Sequence, residues 1–351
     1  MRKKRTAIFL SFIVLVPAIV LSLHAVPVDA QTQPEFTVAV SVTSLAGIVR
    51  EFGGSHLNVS VLLEQEADPH VSQATPAMIA TANQADLLVL TGHFHWEEDL
   101  ANQTATPFVS LHGPLALMNY EDFGAALSPM PGTSGANSTG NPHAYWLLPS
   151  NAIAIANATR AALTSLNATM SDILSERFDD FVEDVQDFET LVNDLDVIYG
   201  FSEKRAVVVA PPEAYVAQAF GIECDAVLQV EDVTLNAAQL YQVQQSLRDG
   251  SIQLIIGSDV AQFQAGGEYA YQLQSDAGGI LIWWRTVYFG ESSDYIGLMT
   301  YNLGALTSGL EGRSGTTENG ALNVLILSLV GVLGVIVVIE TVILVQRARY
   351  E

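Results

Sequence analysis

The sequence predicts an α/β protein of two Rossmann-like, parallel-sheet lobes joined by one long helix, with a transmembrane helix at the C-terminus. Three observations predict it. Continuous apolar runs rich in Val, Ile and Leu alternate with helical patterns, which is the signature of strands buried on both faces. The same rhythm starts again after Gly200. Between the two series, Leu174, Phe178, Phe181, Val185, Phe188, Val192 and Leu195 recur alternately four and three apart, which draws one apolar stripe along a helix.

In chain order, residues 36–42 read as a strand. Leu45, Ile48, Val49 and Phe52 then have helical spacing and stop at Gly53-Gly54. Residues 57–63 are a second strand. Thr75 followed by Pro76 predicts a capped helix reaching about Gln84. Residues 86–91 and 108–111 are further strands. Residues 124–142, rich in Gly, Ser, Pro, Asn and Thr, form a loop. Pro149 opens a helix to about Leu166, and the striped helix spans residues 171–199. It reads as an internal strut ending at Gly200, with coiled-coil dimerisation as the rival reading. Roughly 43 Å of helix is enough to run along two lobes. The second series comprises strands 206–210, 226–230, 252–257 and 280–284, and helices 214–220, 236–248 and 295–310.

The expected organisation is therefore a signal peptide over 1–30, an N-terminal lobe over 31–170, the linking helix 171–199 and a C-terminal lobe over 200–310. A Gly-rich tether covers 311–320, a membrane span 321–346 and a cytoplasmic tail 347–351. The start, Met-Arg-Lys-Lys-Arg followed by an apolar run and small residues, has the order of a secretory leader. Residues 322–345 carry one charge, Glu340, and are long enough to cross a bilayer; Arg347 and Arg349 then place the C-terminus inside. The main body is thus expected outside the cytoplasm, where Asn58, Asn102, Asn137, Asn157 and Asn167 each open a glycosylation sequon. Cys224 is the single cysteine, so no internal disulfide forms.

The net charge is −24. Setting aside four basic residues in the leader and two in the tail leaves 8 Lys and Arg. Setting aside Asp29, Glu340 and Glu351 leaves 35 Asp and Glu, so the body carries −27. That balance argues against binding nucleic acid or anionic lipid. No nucleophile–base pair, phosphate-cradling glycine loop or paired catalytic carboxylate stands out, so no enzymatic activity is expected.

Ligands of open parallel sheets bind beyond the carboxyl ends of the strands. In the first lobe those ends carry His70, His93, His95 and His112, and His143 follows the long loop; residues 144–351 contain no histidine. Neutral imidazole suits zinc and other late divalent metals. His93-Phe94-His95 either points both imidazoles to one side, as an extended segment, or forms a loop around a buried aromatic.

Several segments carry a family resemblance: Ala67-Asp68-Pro69-His70 after the second strand, Thr75-Pro76, Ala85-Asp86-Leu87-Leu88-Val89-Leu90-Thr91-Gly92, and Asn141-Pro142-His143-Ala144-Tyr145-Trp146-Leu147. With them the chain, over roughly residues 36–310, resembles the zinc/manganese-type solute-binding proteins of ABC importers. The resemblance implies two lobes on a rigid helix, a divalent metal held between them, zinc before manganese, and delivery to an ABC transporter permease. The C-terminal span would hold the protein near that permease. The family's first-lobe ligand pair falls on His70 and His143. Its two second-lobe positions fall on Ala210 and the region of Arg285, neither of which is a ligand. Glu213, Asp259, His112, His93 and His95 are therefore the candidate replacements. Three other readings stay open: a two-histidine site completed by water, a cleft converted to another small solute through Arg285 with Trp283 and Trp284, and a surface or adhesion protein with a vestigial cleft.

Overall fold

A computed structural model describes residues 34–63, 69–132, 140–231, 233–262, 265–287 and 294–314. The expected leader, membrane span and tail lie outside the described residues, as do Asp68 and Asn137. Among the described residues no helix is long and apolar enough to cross a membrane.

The first sheet is built from β1 (Phe36–Val40), β2 (Leu57–Val61), β3 (Leu87–Val89), β4 (Phe108–Ser110) and β5 (Met118–Asn119). Its order is β2-β1-β3-β4-β5, and every pairing is parallel. The helices are α1 (Thr43–Gly53), α2 (Pro76–Gln84), α3 (His95–Gln103) and α4 (Pro149–Leu166). Val38, Ala39 and Val40 of β1 and all of β3 are buried, which accounts for their unbroken apolar sequence. Thr75 caps α2 by accepting from the Met78 N–H at 3.2 Å, with Pro76 in the first turn.

The linking helix α5 (Ser171–Tyr199) buries Leu174, Phe181, Val185, Phe188 and Val192, and Phe178 and Leu195 pack against the same core. It lies against α1, α4 and α10 (Tyr295–Ser314), so the stripe is consumed inside the chain and leaves no seam for a coiled-coil partner. The helix ends where Gly200 takes φ +63°, a left-handed terminus that glycine adopts without a Cβ penalty.

Beyond it come β6 (Arg205–Val208), α6 (Glu213–Ala219), β7 (Glu223–Val227), β8 (Gln229–Val230), β9 (Val233–Thr234) and α7 (Ala237–Arg248). These are followed by β10 (Leu254–Ser258), α8 (Asp259–Gln262), α9 (Ala265–Ala277) and β11 (Ile280–Trp284). The second sheet has order β11-β10-β6-β7, again parallel throughout. The described residues from Pro34 to Ser314 fall within one compact unit.

Two expectations are corrected. Residues 226–230 are not one strand: the register with β6 runs to Val227, the Leu228 and Gln229 N–H groups still donate to the Val208 and Val209 carbonyls, and Gln229-Val230 pairs with Val233-Thr234 in an antiparallel ribbon. The last helix does not stop at 310. It runs to Ser314, so the first four residues assigned to the tether are helical.

In both sheets the strand order reverses beside a central strand. In the first, β1 lies between β2 and β3; in the second, β6 lies between β7 and β10. The crevice at such a reversal is where open α/β sheets receive ligands. In the first lobe the loops after β2 and β3 carry His70 and His93. In the second the segments after β6 and β10 carry Glu213 and Asp259.

Candidate metal centre

Three imidazoles converge at the first sheet's reversal. Ring centroids lie 5.0 Å apart for His70 and His93, 5.2 Å for His70 and His143, and 4.5 Å for His93 and His143. One nitrogen from each falls within 4.8 Å of the others, close enough for all three to share one ion. Phe94 closes one side, its ring 5.3 Å from that of His70.

Each histidine is held by a separate local device. His143 sits in an Asx turn: the Asn141 side-chain oxygen accepts from the His143 backbone N–H at 3.1 Å and meets the ring Nδ1 at 3.0 Å. An amide oxygen only accepts, so Nδ1 carries the proton and Nε2 keeps its lone pair. That Nε2 is buried and has no hydrogen-bond partner among the described residues, and the same holds for Nε2 of His93. Ala144, the next residue, takes a left-handed φ of +56°, a strained conformation for a residue with a Cβ and one that recurs at functional sites.

His93 is set by a buried glutamate. Glu97, 2% exposed, accepts from the Thr91 N–H and hydroxyl at 2.7 Å each, from the His93 and Phe94 N–H groups at 3.1 Å each, and from the Ser41 hydroxyl. This one carboxylate therefore organises the whole Thr91–Phe94 loop. Burial pushes its pKa up while the bonds from Ser41, Thr91 and Phe94 oppose the shift. Tyr145 fastens the loop from outside by donating to the Thr91 carbonyl at 2.8 Å. Gly92 has φ +73°, and a Cβ there would lie 2.9 Å from the Ser110 hydroxyl, so the loop admits only glycine.

Burial also decides the protonation state. Desolvation, reinforced by the neighbouring imidazoles, lowers His93 to about 4 and His143 to about 3. Both are neutral at physiological pH, the form that ligates metal.

The other candidates do not join them. His95 opens α3 and faces solvent, so the His93-Phe94-His95 segment is a loop around a buried aromatic. His112 is exposed and pairs loosely with Glu121 at 3.9 Å. Glu213 is fully buried, and one of its oxygens accepts the Ala210 N–H at 2.7 Å. Burial raises its pKa to about 8 against the opposing hydrogen bonds of the Ser258 side chain and the Ala210 N–H. Asp259 is spent on Thr286, whose N–H and hydroxyl donate to it at 3.0 and 2.9 Å. Neither carboxylate lies in the three-histidine group. Arg285 is exposed, with its guanidinium 6.0 Å from the ring centre of Tyr301. Trp284 is core, packed edge-on against Phe220, and Trp283 leans on Tyr271.

The second lobe touches the site through its loops. The Asn141 side chain donates to the Pro211 carbonyl at 3.0 Å, and the Tyr215 hydroxyl donates to the Asn141 carbonyl at 2.5 Å. A further second-lobe residue, Glu231 on the β8–β9 turn, lies 3.9 Å from Nδ1 of His70. Sequence reasoning missed Glu97, Asn141 and Glu231. Glu97 left a trace, an acidic residue three positions into a helix start, where it reaches back to the opening N–H groups, and Asn141 stood in a segment that carries the resemblance without a role assigned to it.

The model of the family described as zinc-uptake complex component A, periplasmic, matches residues 38–309. No curated protein matches the sequence. Among solved structures, the fold resembles a periplasmic metal-binding protein from Candidatus Liberibacter asiaticus, at 18% identity and TM-score 0.61 over 78% of this chain and 99% of that one. A solute-binding protein, FpvC from Pseudomonas aeruginosa, in complex with Mn2+, is similar at 17% identity and TM-score 0.63 over 80% and 99%. A crystal structure of ZnuA is similar at 18% identity and TM-score 0.62 over 78% and 97%. At such identity these likenesses establish the fold.

Proposed function

The chain belongs to the zinc-uptake complex component A family, and from that premise we propose that it captures zinc or manganese outside the cytoplasm on His70, His93 and His143 and hands the ion to an ABC permease. The observation that carries the assignment is the convergence of three imidazole nitrogens within 4.8 Å, two of them with buried, unpartnered Nε2 atoms. An all-nitrogen set favours zinc over manganese, which prefers oxygen donors. Three protein ligands leave one position of a tetrahedron for water or for a group from the second lobe.

All three histidines belong to the first lobe. The site thus differs from one shared equally between lobes, consistent with Ala210 and Arg285 standing where the resemblance places second-lobe ligands. His93 takes the vacated role from within the first lobe. The body is an extracytoplasmic solute-binding protein rather than an enzyme. The apolar segment 322–345 would hold it beside its transporter and raise the effective concentration there.

The test is metal analysis of the purified full-length protein followed by calorimetric titration with zinc and manganese. One equivalent of zinc is expected, with affinity falling at least about 100-fold in His143→Ala and in His93→Ala, each of which removes one ligand. Unchanged zinc affinity in both variants would sink the three-histidine site.

A further inference from the structure

The β8–β9 ribbon buries little. Val233 is 71% exposed, and the ribbon's own pairing is limited to Gln229 with Thr234 and Val230 with Val233. Its turn nonetheless holds Glu231 at φ +50°, a left-handed conformation that Gly, Asn or Asp would take at lower cost. The Gln229 side-chain amide braces the turn by donating to the Glu231 carbonyl at 2.6 Å. The two non-glycine residues with positive φ among those described are Ala144 and Glu231. One adjoins His143, and the other places a carboxylate 3.9 Å from Nδ1 of His70.

A histidine that binds metal through one nitrogen commonly donates its other N–H to a carbonyl or carboxylate, which fixes the tautomer and raises ligand basicity. His143 has that arrangement already, with Asn141 on its Nδ1. Among the described residues, a carboxylate near His70 comes from the other lobe, that of Glu231.

We propose that Glu231 is the positioning residue for His70: it accepts the Nδ1–H of His70 when a divalent cation occupies the opposite nitrogen, and so draws the β8–β9 ribbon onto the loaded site. This rests on the metal-binding reading of the three histidines. The present separation exceeds a hydrogen bond by about 1 Å, a distance that a small inward shift of the exposed Glu231 side chain covers. The second lobe then contributes to capture without supplying a ligand atom. Metal occupancy is thereby coupled to the position of one surface ribbon, a feature that a permease docking across both lobes would sense.

The experiment is a zinc titration of the full-length wild type, Glu231→Gln, Glu231→Asp, His70→Ala and the Glu231→Gln/His70→Ala double variant, with the melting temperature of each metal-free form as a folding control. Loss of the partner carboxylate should weaken zinc binding by roughly 10- to 100-fold. The loss should be partly restored in Glu231→Asp and should vanish in the His70→Ala background. Wild type that binds zinc with Glu231→Gln binding equally well overturns the role of Glu231 alone. A loss that persists undiminished without His70 also overturns it, because Glu231 would then act on the ion directly. Wild type that takes up no zinc overturns the metal-binding reading as well.

Discussion

Glu213→Gln should stabilise the metal-free protein, and by more as the pH rises. Glu213 is fully buried and receives the Ala210 N–H on one oxygen, with the Ser258 side chain as a further hydrogen-bonding neighbour. Desolvation, with Asp259 adding repulsion, raises its pKa from 4.5 to about 8. The folded state therefore holds a proton that the unfolded state has released between those two values, so stability falls with rising pH across this window. At about 1.4 kcal/mol per pH unit, the 2.5 units between the unfolded pKa and pH 7 amount to about 3 kcal/mol. Glutamine preserves the acceptor for Ala210 and presents an amide where the protonated acid presents its O–H. The assay is urea unfolding in chelator, followed by tryptophan fluorescence, at pH 5, 6, 7 and 8. The variant should match wild type near pH 5 and exceed it by about 3 kcal/mol at pH 7, with zinc affinity unchanged. A variant no more stable than wild type at pH 8 would refute the account of the buried carboxyl. A large loss of zinc affinity would restore Glu213 to the ligand set.

Glu97→Gln should do the opposite and cost about 2–4 kcal/mol, because an amide NH2 would face backbone N–H donors that cannot reverse; thermal melts of the metal-free protein decide it. His93 and His143, held near 4 and 3, gain protons on unfolding below about pH 6.5. Their contribution is complete above that value and is lost as the pH falls toward 4, by about 4 kcal/mol at pH 5. Unfolding of the metal-free Glu213→Gln protein, which lacks the opposing slope, should show this decline, and a flat profile from pH 7 to 5 would contradict it. Tyr215→Phe removes the donor to the Asn141 carbonyl and the acceptor of the Ser128 N–H. It should destabilise by about 1–3 kcal/mol and weaken zinc binding through the His143 loop, as calorimetry would record. Gly92→Ala, at φ +73° against Ser110, should lower both stability and zinc affinity, with equal melting temperatures counting against the close approach.

The fold was legible where burial on both faces left continuous apolar runs and where caps marked the ends. The bounds of α4, α5 and β11 follow directly from Pro149, the stripe ending at Gly200, and the run Ile-Leu-Ile-Trp-Trp. The β8–β9 ribbon was not, because residues 226–230 form an unbroken strand-like run. Pairing partners, not propensity, divide the run, because Gln229 and Val230 take Thr234 and Val233 as antiparallel partners. At the site, histidines were visible but their selection was not. His93 and His95 are equivalent on paper, and the choice between them is made by Phe94 entering the core and α3 starting at His95. Glu213 and Asp259 stood at the right strand ends for ligands, yet each is occupied with the backbone of its own lobe. Glu231 lay beyond sequence reasoning altogether, since its proximity to His70 depends on a turn joining residues 161 positions apart in the chain.

These particulars assign the two lobes unequal work. The first lobe presents three imidazoles, and two of them, His93 and His143, are held neutral by burial and fixed by a buried glutamate and an asparagine turn. Affinity built on such a preorganised set does not require closure to assemble the ligands. The second lobe reaches the site one step removed from any ion: Tyr215 and Pro211 hydrogen-bond Asn141, which holds His143, and Glu231 lies 3.9 Å from His70. Ala210 and Arg285, standing where the resemblance places second-lobe ligands, therefore need not abolish capture on the three histidines proposed above. What they change is how tightly lobe position is tied to occupancy, because a carboxylate acting through an imidazole couples the lobes more weakly than a shared metal bond. A protein so arranged should bind its ion in nearly the same lobe geometry as it holds when empty, with the β8–β9 turn as the part that responds.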